Sequence, residues 1–567
     1  MSLLNGCAGW SASDAEQERA RPPSEVAKAN SHILLAEIAL QRADYAAAAT
    51  EYRTAALLST DVELAERATR INFEFGQDRL ALECARHWYS LDPDDLAVHS
   101  FLARLYVRHG KPDEAARHLR TLYDMVSDDG SGDAGYLALL DLLMDERDQT
   151  SASRAFAELV RHNTDSARAQ FSLGTLALGA SNSTLALESA GKALELEPGW
   201  QEATMLIARA LIAGDQATEG LAQAEAVIKD SDDLSLHVEY AFLLAEAGRE
   251  EEARRILQEL REEQPEDPLL LRSLGFLQLR ADDYDNAQNQ FSALLATGNY
   301  VDDAFYYMAW IAEQRQEFPR ALRLYSRITS DNNFVSAQIR ISEILRKLGD
   351  TEASVQHLED VAQVNPRYTI DMIAAAGSLH SELGDYESAL ATYNRGLDRY
   401  PDNEPLLYGR AFLYERYDQI GLAIDELRII VKNKPDDPVA LNALGYTLAD
   451  RTTRYREARR HVRKALSYAP DNPAIIDSMG WIEYRQGNLD AARTHLERAW
   501  RLSRDPEIAA HLGEVIWQSG DETGAITIWE LAQEEDEDSE ILRDTMGRFV
   551  EAPSISGKRE AGSGTKR

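Results

Sequence analysis

The sequence predicts an all-α solenoid: about fifteen helix-turn-helix units, each near 34 residues, laid side by side. Three periodic features predict it. Small residues stand at intervals of 33 to 37, namely Ala48, Ala81, Ala115, Ala152, Ala186, Gly220, Ala253, Ala287, Ala321, Ser354, Ala389, Ala423, Ala458, Ala492 and Ala525. Four residues later most units carry a large apolar side chain, among them Tyr52, Leu119, Phe156, Leu257, Phe291, Tyr325, Tyr393, Leu427, Leu496 and Trp529. Twelve residues after the small one, seven units carry proline (Pro93, Pro198, Pro265, Pro366, Pro401, Pro435, Pro470), far more than 17 prolines scattered over 567 residues would supply. A fixed period of this length marks a repeat architecture, in which each unit buries its apolar face against its neighbours.

Each element of the unit has a physical reason. In the first helix, A, Gly174, Gly275, Gly377, Gly480 and Gly513 stand twelve residues before their small partners. A missing Cβ there lets helix A close on helix B, and the small residue of B accepts the contact. The turn between the helices reads Gly349-Asp350, Gly384-Asp385 and Gly487-Asn488, with glycine free to take the left-handed conformation that stops a helix. Proline ends helix B, because it has no N–H to donate. The units at 131–164 and 200–232 keep the pattern least well. With Leu-Gly in helix A, a small residue twelve on and a closing proline, the unit resembles the tetratricopeptide repeat. The resemblance covers roughly residues 30 to 537 and implies a right-handed superhelix whose A helices line the concave face.

Composition narrows the function. With 60 basic against 96 acidic residues the formal charge is −36, which repels nucleic acid and anionic lipid surfaces. No apolar run reaches the roughly 20 residues of a membrane-spanning helix. Cys7 and Cys84 are too few for a disulfide framework. Cys84, three residues after Ala81 on a predicted B helix, reads as a small buried side chain. Cys7 closes Leu4-Asn5-Gly6-Cys7, ahead of a polar stretch from Ser11 to Glu25 that contains Pro22 and Pro23. That arrangement resembles the end of a bacterial lipobox followed by a tether. It implies lipid attachment at Cys7 and a place on the periplasmic face of the outer membrane. Asn5 departs from the pattern, and the three residues ahead of the motif do not form the basic and apolar regions of a secretory signal. A plain cytoplasmic terminus is the other reading.

Four segments result: residues 1–29 as a flexible tether, 30–537 as the repeat array, 538–550 as a capping helix, and 551–567 as a disordered tail rich in Ser, Gly and basic residues. The longest interval, Ala115 to Ala152, places its excess in the loop from Ser127 to Asp133. Asp128, Asp129 and Asp133 lie close there, but the downstream bidentate Glu of a calcium loop is missing.

The chain carries no enzyme constellation. Its twelve histidines form no His-Glu-x-x-His pair of ligands. Ser189 and Lys192 have the Ser-x-x-Lys spacing of penicillin-binding enzymes without the companion motifs, and Ser563 and Lys566 repeat the spacing in the tail. Gly130 to Gly135 spells Gly-x-Gly-x-x-Gly, yet between two predicted helices, with no strand before it and acidic neighbours that would repel a pyrophosphate. The expectation is a non-enzymatic protein with no cofactor and no metal.

Protein partners remain, and counting from the ladder turns Tyr306, Trp310, Tyr408, Arg410, Tyr446, Trp481, Tyr484, Arg485 and Trp517 toward the groove. Aromatic residues and arginine are the types enriched at binding hot spots. Grooves that hold chaperone C-termini use a Lys and Asn clamp, whose positions carry Tyr408, Asp477 and Ala510 here. Leu441 to Tyr446, Ala449-Asp450-Arg451, Pro470 to Pro473, Asp477 to Trp481 and Tyr484 to Gly487 resemble the C-terminal repeats of proteobacterial outer-membrane tetratricopeptide lipoproteins. The resemblance implies an adaptor that binds and activates a periplasmic carboxy-terminal processing protease and presents cell-wall hydrolases to it as clients. The alternative is a lipoprotein scaffold for envelope assembly or exopolysaccharide export.

Overall fold

The computed structural model describes residues 25–127, 132–161, 164–329, 333–536 and 539–550. These residues form thirty-one α-helices and no strand. Fifteen A/B pairs follow one another: α1 (Glu25–Gln41) and α2 (Tyr45–Leu57), α3 (Val62–Glu74) and α4 (Asp78–Leu91), α5 (Leu96–Arg108) and α6 (Pro112–Ser127), α7 (Gly132–Met144) and α8 (Gln149–Val160), α9 (Ala167–Gly179) and α10 (Ser183–Leu196). The middle pairs are α11 (Gln201–Ala213) and α12 (Ala217–Lys229), α13 (Leu234–Glu246) and α14 (Glu250–Glu263), α15 (Pro268–Arg280) and α16 (Tyr284–Thr297), α17 (Val301–Gln314) and α18 (Phe318–Tyr325), α19 (Phe334–Lys347) and α20 (Thr351–Val364). The last five are α21 (Thr369–Glu382) and α22 (Tyr386–Arg399), α23 (Glu404–Arg416) and α24 (Ile420–Asn433), α25 (Pro438–Asp450) and α26 (Tyr455–Tyr468), α27 (Pro473–Arg485) and α28 (Leu489–Leu502), α29 (Pro506–Gln518) and α30 (Glu522–Glu535). α31 (Glu540–Phe549) then packs on α29 and α30. Helix α1 begins at Glu25, so the last five residues of the proposed 1–29 tether are helical.

The ladder is the seam of each pair. The thirteen alanines of the ladder and Ser354 are fully enclosed, and Gly220 is buried. Glycine closeness works differently from the sequence expectation. At Gly275, Gly377, Gly480 and Gly513 the helix A glycine is covered mainly by the large side chain four residues after the ladder position, whereas Gly174 faces Leu206 and the carbonyl of the ladder residue Ala186. A Cβ on Gly275 would stand 2.6 Å from the ring of Phe291, and one on Gly377 2.6 Å from that of Tyr393. The ladder residue keeps helix B near enough for that side chain to reach the backbone of helix A. At Gly220 even the Cβ of alanine would meet the Ala208 carbonyl at 2.6 Å, so this weakly patterned unit uses glycine for a closer approach.

Chain reversals are written locally. Gly349, Gly384 and Gly487 take positive φ in their A-to-B turns. The B helices that follow are often capped by the next residue, as where Asp350 accepts from the Ala353 N–H and Asp385 from the Ser388 N–H. The prolines stand just past the B helices: Pro93 after Leu91, Pro265 after Glu263, Pro470 after Tyr468.

Successive A helices pack on one another along much of the array (α7/α9, α21/α23, α25/α27, α27/α29), whereas among B helices only α2/α4 and α6/α8 do so appreciably. The A layer is therefore the tighter, inner one. A purely linear array, in which each repeat touches only its neighbours, is corrected by contacts between repeats seven to nine apart. Arg154 pairs with Asp436 at 2.9 Å, Arg147 with Asp371 at 3.3 Å and Arg501 with Asp215 at 2.7 Å. The Asp471 carboxylate accepts from the Ser183 N–H at 2.8 Å, and the Asp471 N–H donates to the Ser181 carbonyl at 3.1 Å. Lys434 reaches Glu404 at 2.7 Å and Asp148 of the earlier turn at 3.9 Å. The superhelix completes a turn and the next turn rests on it.

Candidate protein-binding groove

Three inner helices share one start signal. Asp437-Pro438, Asn472-Pro473 and Asp505-Pro506 each place a capping side chain before a proline at the first helical position. The identical starts give α25, α27 and α29 the same phase, so residues nine after each cap fall on one face: Tyr446, Trp481 and Glu514.

That face is a bonded cluster. The His511 ring stacks on Trp481, with centroids 4.1 Å apart and planes 21° apart. Its Nδ1 lies 3.0 Å from both carboxylate oxygens of Asp477. Tyr446 donates to Glu507 at 3.0 Å, and its hydroxyl is 3.5 Å from His511 Nε2. The Trp481 indole donates to Asp450 at 3.0 Å, and Arg485 donates to the same carboxylate at 3.1 Å and to the Asp450 carbonyl at 2.7 Å. Tyr484 donates to Glu514 at 2.9 Å, which also takes Arg548 of the cap at 3.0 Å. Burial opposes protonation of His511, but the charge of Asp477, the hydrogen bond to it, and the carboxylates of Glu507 and Asp450 outweigh it and raise its pKa above the ordinary 6.5. Burial first, then Glu507, Asp450 and Asp477, hold the Tyr446 phenol protonated well above its usual range. His511 contacts a carboxylate, an aromatic face and a phenol, which makes the group a charge clamp and not a nucleophile with its base.

Four of the nine sequence-derived groove residues, Tyr446, Trp481, Tyr484 and Arg485, meet here. The others do not join them. Trp517 stacks on Trp529 at 5.9 Å and packs against Phe549 at 5.8 Å, under the capping helix. Arg410 points between the layers, donating to Asn394 of α22 and Glu426 of α24, both at 2.7 Å. Tyr306 rests edge-on against Tyr325 of α18, and Trp310 against Tyr284 of α16. Tyr408 stacks on Phe412, and its hydroxyl is buried without a hydrogen bond. Trp481 is only 7 % exposed, so it frames the face more than it presents surface. Cys7 lies outside the described residues.

Sequence reasoning missed Glu507, His511 and Glu514, and named Asp450 and Asp477 without assigning them to binding, so the polar half of the cluster went unread. It also missed Phe412, nine residues after the cap Asn403, in the register of Tyr446 and Trp481. Phe412 is 55 % exposed. Counting from the caps rather than from the ladder finds it.

Elsewhere the motif candidates resolve into structure. Ser189 is buried while Lys192 turns outward to Glu188 at 2.7 Å. Gly132 to Gly135 are the first turn of α7, and the aspartates at 128 and 129 lie outside the described residues. Cys84 is enclosed, and burial pushes its thiol up to about 12, so it stays protonated. Among the described residues no helix is long and apolar enough to cross a membrane.

Repeat proteins built this way bind other proteins on an extended curved surface. Residues 196–389 match the Protein kinase G tetratricopeptide repeat, and residues 137–203, 374–438 and 452–514 match tetratricopeptide repeat families. The chain is 32 % identical over 489 residues to the TPR repeat-containing protein PA4667 of Pseudomonas aeruginosa, covering 85 % of this chain and 81 % of that one. It belongs to the tetratricopeptide repeat proteins. Among solved structures it is similar to yeast Tom70 (15 % identity, 73 % of this chain and 95 % of that chain, TM-score 0.38) and to the Cut9 and Hcn1 hetero-tetramer of the APC/C (15 % identity, 93 % and 97 %, TM-score 0.32).

Proposed function

We propose that this chain is an adaptor lipoprotein resembling LbcA, the partner of the protease CtpA. It binds and activates a periplasmic carboxy-terminal processing protease and presents peptidoglycan hydrolases to it, without cutting them itself. The observation that carries the reading is the inner face of α25, α27 and α29, where Tyr446, Trp481, Tyr484 and Arg485 stand in one bonded cluster within the stretch that resembles those lipoproteins. Likeness to PA4667 along 85 % of the chain supports a shared architecture. Anchoring at the periplasmic face of the outer membrane rests on Leu4-Asn5-Gly6-Cys7.

The test uses purified protein, a carboxy-terminal processing protease and a cell-wall hydrolase. The parent alone leaves the hydrolase intact and speeds its cleavage when the protease is added. Phe412→Ala probes the inner face without opening the core, and truncating an aromatic anchor costs about 2 kcal/mol, or about thirtyfold in affinity. A parent that neither binds nor stimulates such a protease moves the reading to the export scaffold. A parent that works and a Phe412→Ala protein that works equally well moves the binding face elsewhere on the array.

A further inference from the structure

Helix α26 carries the largest basic excess of any helix in this acidic chain. It holds Arg456, Arg459, Arg460, Arg463 and Lys464 against a single carboxylate, Glu457. Being a B helix it lies in the outer layer, away from the inner face of α25 and α27. Two of its cations are engaged, Arg459 with Glu483 at 2.7 Å and Lys464 with Asp436 at 2.8 Å. Glu457 is taken up by Arg454 and Arg428. Arg456, Arg460 and Arg463 are exposed and make no ion pair or hydrogen bond among the described residues. Their spacing of four and three residues sets them on one face over about 10 Å of helix. With Arg459, Lys464 and Ser467 they line an open cleft of about 400 Å³.

The neighbouring cations are largely satisfied. On α24 Arg428 meets Asp425 at 3.4 Å, and on α28 Arg493 meets Glu497 and Arg498 meets Asp471, both at 2.7 Å. The field is felt at His461, where burial first and Arg460 next hold the pKa below its ordinary value. A protein with a formal charge of −36 that keeps three adjacent guanidinium groups unpaired holds a local potential opposite to its own.

We propose that the outer face of α26 is a docking site for a carboxylate-rich segment of a partner protein, seated on Arg456, Arg460 and Arg463. Guanidinium forks bind carboxylates in paired hydrogen bonds. A narrow segment fits the stripe better than a membrane does. A flat anionic surface laid on α26 would also approach α30, which carries Glu522, Glu530, Glu534 and Glu535 and no basic residue. The site is independent of the protease reading, since none of its residues belongs to the inner cluster.

The experiment titrates a fluorescein-labelled oligo-glutamate peptide with the full chain at low salt and follows anisotropy. The variant Arg456→Gln/Arg460→Gln/Arg463→Gln is compared with the control Arg161→Gln/Arg249→Gln/Arg255→Gln, which removes the same charge from cations paired with Glu158, Glu252 and Glu259. The α26 variant binds about tenfold more weakly than the parent and the control within about twofold, and the parent's affinity falls as NaCl rises. Equal binding by parent and α26 variant overturns the proposal, and so does an equal loss in the control. Stripe-dependent binding to phosphatidylglycerol vesicles without peptide binding assigns the face to a membrane. Stripe-dependent self-association in sedimentation, again without peptide binding, assigns it to a second copy. Either result overturns the proposal.

Discussion

The repeats from α25 to α30 present two faces that handle charge in opposite ways. On the inner face, Asp450, Asp477, Glu507 and Glu514 each meet a cation, an indole or a phenol beneath aromatic rings. On the outer face, on the B helix paired with α25, Arg456, Arg460 and Arg463 are exposed. Burial explains the difference. A charge taken out of water is retained only if it is paired and hydrogen-bonded, whereas an exposed guanidinium stays hydrated and can wait for a partner. The inner face is therefore part of the fold, and substitutions there are read first as stability. The outer face is free of that duty.

The sharpest way to break this contrast is to remove the ring that organises the inner face. Trp481→Ala takes away the stacking platform of His511 and the donor to Asp450, and truncation of a buried Trp costs about 3 to 5 kcal/mol. Denaturant unfolding measures the loss, and hydrogen exchange should centre it on α25, α27 and α29. A loss below about 1 kcal/mol would mean that the cluster is loosely held. Both tryptophans are poor probes of binding: Trp481 is nearly enclosed and holds the His511 ring, and Trp517 packs on the core beneath the capping helix.

Next comes the charge clamp. Asp477→Ala leaves His511 buried among Trp481, Tyr446 and Glu507, and breaking a buried pair costs about 3 kcal/mol. Its signature is pH dependence. His511 is raised above 6.5 in the folded state, so its contribution is complete below the unfolded pKa and lost as pH rises through the folded value. The parent should therefore lose stability on going from pH 6 toward alkaline pH, with Asp477, Glu507, Asp450 and the Tyr446 phenol as the groups facing the ring. Asp477→Ala should flatten that slope, and an unchanged slope would place its origin at another group.

Periodicity exposed the fold because each ladder residue answers a local demand that repeats every 34 or so residues. Ala389 is small because Tyr393 must reach Gly377, and Ala525 because Trp529 must reach Gly513. Such requirements are visible one unit at a time. The contact of Lys434 with Asp148 is not, since it depends on the summed rotation of eight repeats, to which every pair adds a little. The inner cluster was half legible for a similar reason. Tyr446 and Trp481 announce themselves as large aromatics in helix A, but His511 and Asp477 become partners only through the close packing of α27 on α29. Arg410 misled the count because its long side chain passes between α22 and α24 and leaves the groove behind.

The contact between superhelical turns gives a smaller effect and extends the comparison along the axis. Lys434 lies among Glu404, Asp148 and Asp437, and burial raises the carboxyls of Glu404 and Asp148 despite its charge. Lys434→Ala leaves those carboxyls without their cation, at about 2 kcal/mol. Small-angle scattering should show a longer particle, and circular dichroism an unchanged helix content, because the helices themselves lose nothing. An unchanged radius of gyration would mean that the remaining pairs, such as Arg154 with Asp436, hold the turns together without it.

The smallest effect belongs to the outer face and completes the contrast. Arg456→Gln/Arg460→Gln/Arg463→Gln removes three cations that have no partner to lose, so its stability should match the parent within about 0.5 kcal/mol. Glutamine keeps helix propensity close to that of arginine, which leaves α26 itself undisturbed. Relief of repulsion among the three neighbouring charges and His461 acts in the stabilising direction. A denaturant midpoint equal to or slightly above the parent's therefore agrees with an unpaired stripe. A clear drop would show that these guanidinium groups support the fold through long-range attraction to the acidic body, and the two faces would then differ in degree and not in kind.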